Sequence, residues 1–160
     1  MNIRIEQAVN LDRCDEFSQV YDHYWRENSP DEESAADTAA VAFKNYLASP
    51  DKYRSFFLID GDTNAIVGFA NIHINVEFCS YEHAVYVADL YVAPEYRYYG
   101  LATRMINHLV ELCQQNNWKK LYWVTVLENA EVEGICTRLA KRRTHVWYEI
   151  PVLYQDPIDE

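Results

Sequence analysis

VYVADLYVAPEYRYYGLATRMINHL, residues 85 to 109, contains a strand, a loop and the start of a helix. Val85, Val87 and Tyr91 alternate with Tyr86, Leu90 and Val92 in a period-2 pattern of β-branched and aromatic residues, which predicts a strand buried on both faces. Pro94 ends it. Beyond the loop, Leu101, Met105, Leu109 and Leu112 recur at helical spacing and Ile106 and Cys113 widen the stripe, so a helix is predicted from close to Gly100 to about Gln114. Between the two elements the spacing is Arg97-x-x-Gly100-x-Ala102. The first turn of a helix carries backbone N–H groups without intrahelical partners and the positive end of the macrodipole, a setting for an anion. Gly100 and Ala102 are small enough to let a diphosphate approach the backbone, and Arg97 adds a guanidinium. The loop lacks the Gly-Lys-Ser/Thr ending of a Walker A motif and two of the three glycines of a dinucleotide fingerprint.

Working outward, Ile3 and Ile5 alternate with Arg4 and Glu6 in a short edge strand. Asn10 is the predicted cap of a helix with Leu11, Cys14, Phe17, Tyr21 and Trp25 on one stripe. A second helix is predicted from about Ala35 to Leu47, with Ala36, Ala39, Phe43 and Leu47 on one side. Phe56 to Ile59 form an apolar strand that Asp60-Gly61-Asp62 folds back on Ala65 to Val76. Strict alternation puts Ile66, Gly68, Ala70, Ile72, Ile74 and Val76 on one face and Val67, Phe69, Asn71, His73 and Asn75 on the other. Asn71, His73 and Asn75 line either a polar groove or a solvated sheet face, and the solvated face is the plainer reading. With residues 85 to 92 this makes a three-stranded antiparallel meander. Leu121 to Val126 resumes a strand after the helix, and a strand-helix-strand crossover requires parallel pairing.

Further on, Asn129 is the expected cap of a helix running to about Ala140. Lys141-Arg142-Arg143 suits that helix's negative end, with contact to a nucleotide 3′-phosphate as the alternative. Val146, Tyr148 and Ile150 form a last strand, a candidate dimer interface. The expected class is α/β (α+β): a mixed, mostly antiparallel sheet with helices on both faces, in one domain over residues 1–160.

The formal charge of −11 comes from 14 Lys and Arg against 25 Asp and Glu. A field of that sign repels nucleic acid and favours cationic ligands, although ordinary acidic solubility gives the same count. No basic and apolar leader opens the chain and no apolar run is long enough to cross a membrane. Cys14, Cys79, Cys113 and Cys136 form no CxxC pair and no His pair stands at metal spacing, so no metal is expected. A cytoplasmic setting is expected, with neither nucleic acid nor membrane as partner.

LYVAPEYRYYGLATRMI, through Val92, Pro94, Arg97, Gly100 and Ala102, resembles the acetyl-CoA-binding segment of the GNAT superfamily of N-acetyltransferases. The order of predicted elements is compatible with that fold from end to end. The resemblance implies acetyl-CoA as cosubstrate, with backbone groups of Leu90, Tyr91 and Val92 on its pantetheine arm. Residues 97 to 103 (Arg97, Tyr98, Tyr99, Gly100, Leu101, Ala102 and Thr103) would lie at its pyrophosphate. Asn129 stands where the family often has a cofactor-contacting Asn, a role compatible with a helix cap. Many members carry a Glu immediately before an Asp on the first of these strands; here the pair is Ala88-Asp89. Asp89 remains a catalytic candidate beside a structural or acceptor-binding role, and on a regular strand it faces away from the position of the missing Glu. Where the family commonly has Leu-Tyr, this chain has Ile135-Cys136. Cys136 is therefore a candidate proton donor, with core packing as the plainer role.

The resemblance implies transfer of acetyl to a primary amine, with a small cationic acceptor of the polyamine or aminoglycoside kind favoured by the acidic charge, Glu77, Glu82 and the aromatic residues near Tyr81. The alternatives are acetylation of a protein or peptide amine, and a non-catalytic module that binds coenzyme A. Without the two usual catalytic side chains, catalysis rests on proximity and water relays.

Overall fold

The computed structural model describes residues 2–29, 34–76, 82–125 and 138–140. The chain divides into two compact units, Met1–Val124 and Thr125–Glu160, and the first holds every element described below. In order these are β1 (Ile3–Gln7), α1 (Cys14–Asn28), α2 (Ala36–Ala48), β2 (Tyr53–Asp60), β3 (Ile66–Val76), β4 (His83–Val92), a 3-10 turn (Pro94–Tyr96), α3 (Leu101–Gln115) and β5 (Lys120–Tyr122). The five strands lie in sequence order. Each of β1 to β3 is antiparallel to the next, and β4 and β5 run parallel across the α3 crossover. Asn129, Cys136, the Lys141–Arg143 triplet and the last strand lie outside the described residues, as do Glu77 and Tyr81.

The two faces of the sheet carry different cores. On one, Ile72, Val85, Val87, Met105, Ile106 and Leu109 pack α3 onto the strands. On the other, Phe17, Ala39, Phe43, Phe57, Phe69 and Tyr91 join α1 and α2 to the sheet. Burying a side chain of the size of Leu109 contributes about 1.5–3 kcal/mol relative to leaving it in water. The helical stripes of all three helices predict which residues turn inward, but α1 begins later than expected. Asn10 does not cap it: the Asn10 Oδ1 accepts from the Asp12 N–H at 3.2 Å in a local turn, Leu11 is exposed, and the helix starts at Cys14.

Two bulges break the expected alternation. Leu58 pairs with Gly68 and Ile59 with Ile66, which leaves Val67 as an extra residue. Ile66 consequently packs on the α1/α2 side and Val67 on the α3 side, the reverse of the face assignment read from the sequence, while Phe69, Ala70, Ile72 and Ile74 keep to it. In β4, Asn71 pairs with Asp89 and Ile72 with Val87, so Ala88 is extra. The true sets are therefore Val85, Val87, Leu90 and Val92 toward α3, and Tyr86, Asp89 and Tyr91 toward α1 and α2. An inserted residue costs the ladder one place and re-aims the side chains beyond it. Gly68 sits where β4 comes closest: a Cβ there would lie 2.5 Å from the Tyr91 carbonyl oxygen.

Candidate active site

The β4–β5 pairing covers Ala84, Val85 and Tyr86 only, opposite Lys120, Leu121 and Tyr122. Beyond Tyr86 the edge of β4 runs on without a ladder partner among the described residues. Which of its backbone groups face that edge is fixed by the pairing on the other side. The Ala93 N–H donates to the Val67 carbonyl at 2.9 Å, and in an antiparallel ladder hydrogen-bonded pairs alternate with non-bonded ones. Tyr91 is thus spent on Phe69, while Leu90 and Val92 point their N–H and C=O groups toward the open edge. Leu90 and Val92, two of the three residues expected to offer backbone to a pantetheine arm, thus face that edge, with the Val92 carbonyl already accepting from Arg97.

The loop after β4 is held from three sides. Tyr96 donates its hydroxyl to Asp60 Oδ2 at 2.8 Å, and Arg97 Nε donates to the Val92 carbonyl at 2.8 Å. The Arg97 guanidinium also pairs with Glu27 of α1 at 2.5 Å and lies over the Tyr91 ring. Gly100 adopts φ 77°, a left-handed backbone that L side chains rarely take, and a Cβ placed on it would meet nothing within 4 Å. What this position requires of the free chain is therefore its backbone angle, more than the small size read from the sequence. Tyr98 is also left-handed, at φ 66°, and 88% exposed, with Tyr99 67% exposed. No side chain caps α3, and the Arg104 N–H is bonded to the Gly100 carbonyl. The N–H groups of Leu101, Ala102 and Thr103 are left at the helix start, where an anion is favoured.

On the α1/α2 face the bulge at Ala88 puts Asp89 at the place a regular strand would give residue 88. The expectation that Asp89 faces away from that position fails for this reason. Both carboxylate oxygens are engaged: Tyr24 donates its hydroxyl to Oδ1 at 3.1 Å, and Asn71 Nδ2 donates to Oδ2 at 2.8 Å. Ser55 Oγ donates in turn to Asn71 Oδ1 at 2.7 Å. Burial raises the pKa of Asp89 above the usual carboxylate value, and the hydrogen bonds from Asn71 and Tyr24 work against that rise. The same burial, with the Asp89 charge adding to it, raises the Tyr24 and Tyr46 phenols and lifts Tyr21 to about 12, so all three keep their protons. A cavity of about 30 Å³, roughly one water's worth of room, lies against Asp89, Asn71, Ser55, Tyr21, Tyr46 and Phe43. Alongside, His73 shares a 2.8 Å hydrogen bond with the Tyr46 hydroxyl, and burial lowers its pKa while Asp89 pulls the other way.

The polar side of β3 is therefore a covered groove rather than a solvated face for Asn71 and His73; Asn75 alone of the three is exposed. Ser55, Tyr24 and Tyr46 carry no mark in the sequence. Ser55 sits inside an apolar strand, and Tyr24 and Tyr46 lie one position off the stripes that define α1 and α2. Asn129 and Cys136 lie outside the described residues.

A strand edge without a ladder partner among the described residues beyond Tyr86, an uncapped helix start after it and a partly buried carboxylate on the adjoining face fit the frame of an acyl-group transferase. A model of the acetyltransferase (GNAT) family matches residues 17–140, and the chain belongs to that family. It is an acetyl-CoA-dependent N-acetyltransferase. The D-amino-acid N-acetyltransferase HPA3 of Saccharomyces cerevisiae is 24% identical over 113 residues, covering 71% of this chain and 70% of that protein. Among solved structures, the aminoglycoside acetyltransferase AAC(6')-Iy bound to a coenzyme A bisubstrate analogue is similar in fold, with TM-score 0.75, 17% identity and coverage of 94% of this chain and 99% of that one. The ribosomal-protein-alanine N-acetyltransferase of Brucella melitensis biovar Abortus 2308 gives TM-score 0.74 and 17% identity over 93% of this chain and 98% of that one.

Proposed function

We propose that the protein acetylates the primary amine of a small cationic acceptor, with Asp89 as the group that takes up the amine's proton. The observation that carries the reading is the placement of the Asp89 carboxylate among Tyr21, Tyr24 and Tyr46, beneath α1 and α2. An alkyl amine with a pKa near 10.4 is neutral in about one molecule in a few thousand at pH 7, so an acetyltransferase gains from a base at the acceptor. A carboxylate raised by burial is a better base than one in water, and aromatic faces beside it favour an ammonium ion. The chain's charge of −11 adds long-range attraction for the same ligand.

On this reading the pantetheine arm lies along the outward backbone of Leu90 and Val92. The pyrophosphate is met by the amides of residues 101–103, with Arg97 leaving Glu27 to join it. A backbone N–H of the same open edge stabilises the oxyanion as the thioester carbonyl is attacked. An amino-acid acceptor is the second reading, favoured by the name of the yeast relative.

The test is an acceptor panel of diamines, aminoglycosides, D- and L-amino acids and short peptides, with products identified by mass spectrometry. Acetylated diamines or aminoglycosides, lost in Asp89→Asn, are the expected result. Products from peptides alone would move the acceptor to proteins. Calorimetric binding of coenzyme A without turnover of any amine would leave a binding module.

A further inference from the structure

Ser55, Asn71 and Asp89 form a row across three neighbouring strands, β2, β3 and β4, in direct register. Ser55 and Asn71 are 2% and 4% exposed, so neither trades partners with bulk water. An ionised carboxylate only accepts hydrogen bonds, so the Asn71 amide must turn its NH₂ toward Asp89 and its oxygen toward Ser55, and Ser55 must donate. The two ends of an amide have nearly the same shape, and the flipped amide fits the same space. Flipped, its oxygen would face Asp89 and accept from a protonated carboxyl, with the NH₂ turned to Ser55. The row therefore has two polarities, one for each protonation state of Asp89, and the Ser55 hydroxyl favours the first.

We propose that Ser55 and Asn71 are positioning residues that hold Asp89 aimed and ionised for the transfer reaction. This rests on the reading of Asp89 as the base. Neither residue is required to touch acceptor or cosubstrate. Ser55 acts through Asn71, and Asn71 acts through the carboxylate. The other titratable groups around Asp89 are Tyr21 and Tyr24 from α1, Tyr46 from α2, His73 from β3 and Tyr86 from β4. Of these only His73 has an ordinary pKa near neutral, and burial lowers it.

The experiment is a carbon-13 titration of side-chain carboxyls in the wild type, Ser55→Ala and Ser55→Thr, with the Asp89 signal assigned by its loss in Asp89→Asn. His73 is tracked in the same samples through its ring resonances. Ser55→Ala should move the Asp89 midpoint to higher pH with His73 unmoved. Ser55→Thr, whose extra methyl has the adjoining cavity to enter, should restore it. With an acceptor in hand, the acid limb of kcat/KM should move in parallel, about fivefold in rate at its foot, the size expected for losing one hydrogen bond between neutral groups. An Asp89 midpoint unchanged in Ser55→Ala overturns the proposal, and so does an equal shift in Ser55→Thr. A midpoint that moves while kcat/KM does not would uphold the row's hold on Asp89 and overturn its catalytic use, together with the reading of Asp89 as the base. Unfolding curves for each variant keep a folding defect from passing as a titration effect.

Discussion

The two faces of the sheet are built from different materials. The α3 face is mostly aliphatic, with Phe56 its one fully buried ring among the described residues, and is closed by Met105, Leu109, Ile72 and Val85. The α1/α2 face is aromatic, and within it lie a serine, an asparagine and an aspartate that bond to one another. Aliphatic packing gives stability and a fixed origin for the loop at Gly100. Aromatic rings give bulk while tolerating polar neighbours, and the phenols of Tyr24 and Tyr46 supply donors that leucines could not. One face holds the chain together, and the other accepts a cost in stability to hold a partly buried charge.

Leu109→Ala should break the first face: a loss of about 2–5 kcal/mol in urea unfolding is expected for emptying a fully buried leucine site. A loss below about 1 kcal/mol would mean that α3 is not anchored by this stripe. Gly100→Glu attacks the loop where that face begins. It should weaken coenzyme A binding at least tenfold by calorimetry, about 1.4 kcal/mol, since it sets a carboxylate against the diphosphate. Its fold should survive with about 1–2 kcal/mol lost to the left-handed backbone.

The second face is tested by Asp89→Asn. Burial puts the native pKa of Asp89 above the unfolded value near 3.9, so well below that pH both states hold the proton and the carboxyl costs nothing. As pH rises through the unfolded value the unfolded chain ionises first, and the wild type loses stability until the native pKa is passed. The asparagine cannot ionise and can still pair with Tyr24 and Asn71. Its Tm should therefore gain on the wild type between about pH 4 and 7, at roughly 2–4 °C for each kcal/mol. A Tm difference flat across that range would show that the buried charge has no cost.

The smallest effect belongs to the contact by which α1 reaches the loop. Glu27→Gln should tighten coenzyme A binding by about two- to fivefold, since a partly exposed ion pair is worth no more than about 1 kcal/mol. Weaker binding would instead make the pair a support for the loop.

Much of this was legible in the sequence, for reasons that can be named. The strand, loop and helix from Val85 to Leu109 announce themselves because each period is long enough to be read and Pro94 and Gly100 punctuate them. The loop's form was legible too, because an uncapped helix start after a left-handed glycine needs only local backbone. The acid's surroundings were not. Ser55 and Asn71 meet across a ladder whose register no local pattern carries, and Tyr24 arrives from a helix 65 residues away in sequence. The bulges at Val67 and Ala88 hid the rest, because alternation read over an unmarked extra residue assigns the residues beyond it to the wrong face.

Ala88 has a standing in β4 that none of its neighbours shares. Because it occupies no rung, the strand could shed it and every side chain from Asp89 onward would keep its present side, whereas shedding a paired neighbour would turn the rest over. The local bend would vanish with it, two residues past the last rung that β4 shares with β5. The surplus alanine thus lies just where β4 leaves its last described rung with β5, and its loss would straighten the strand at that point.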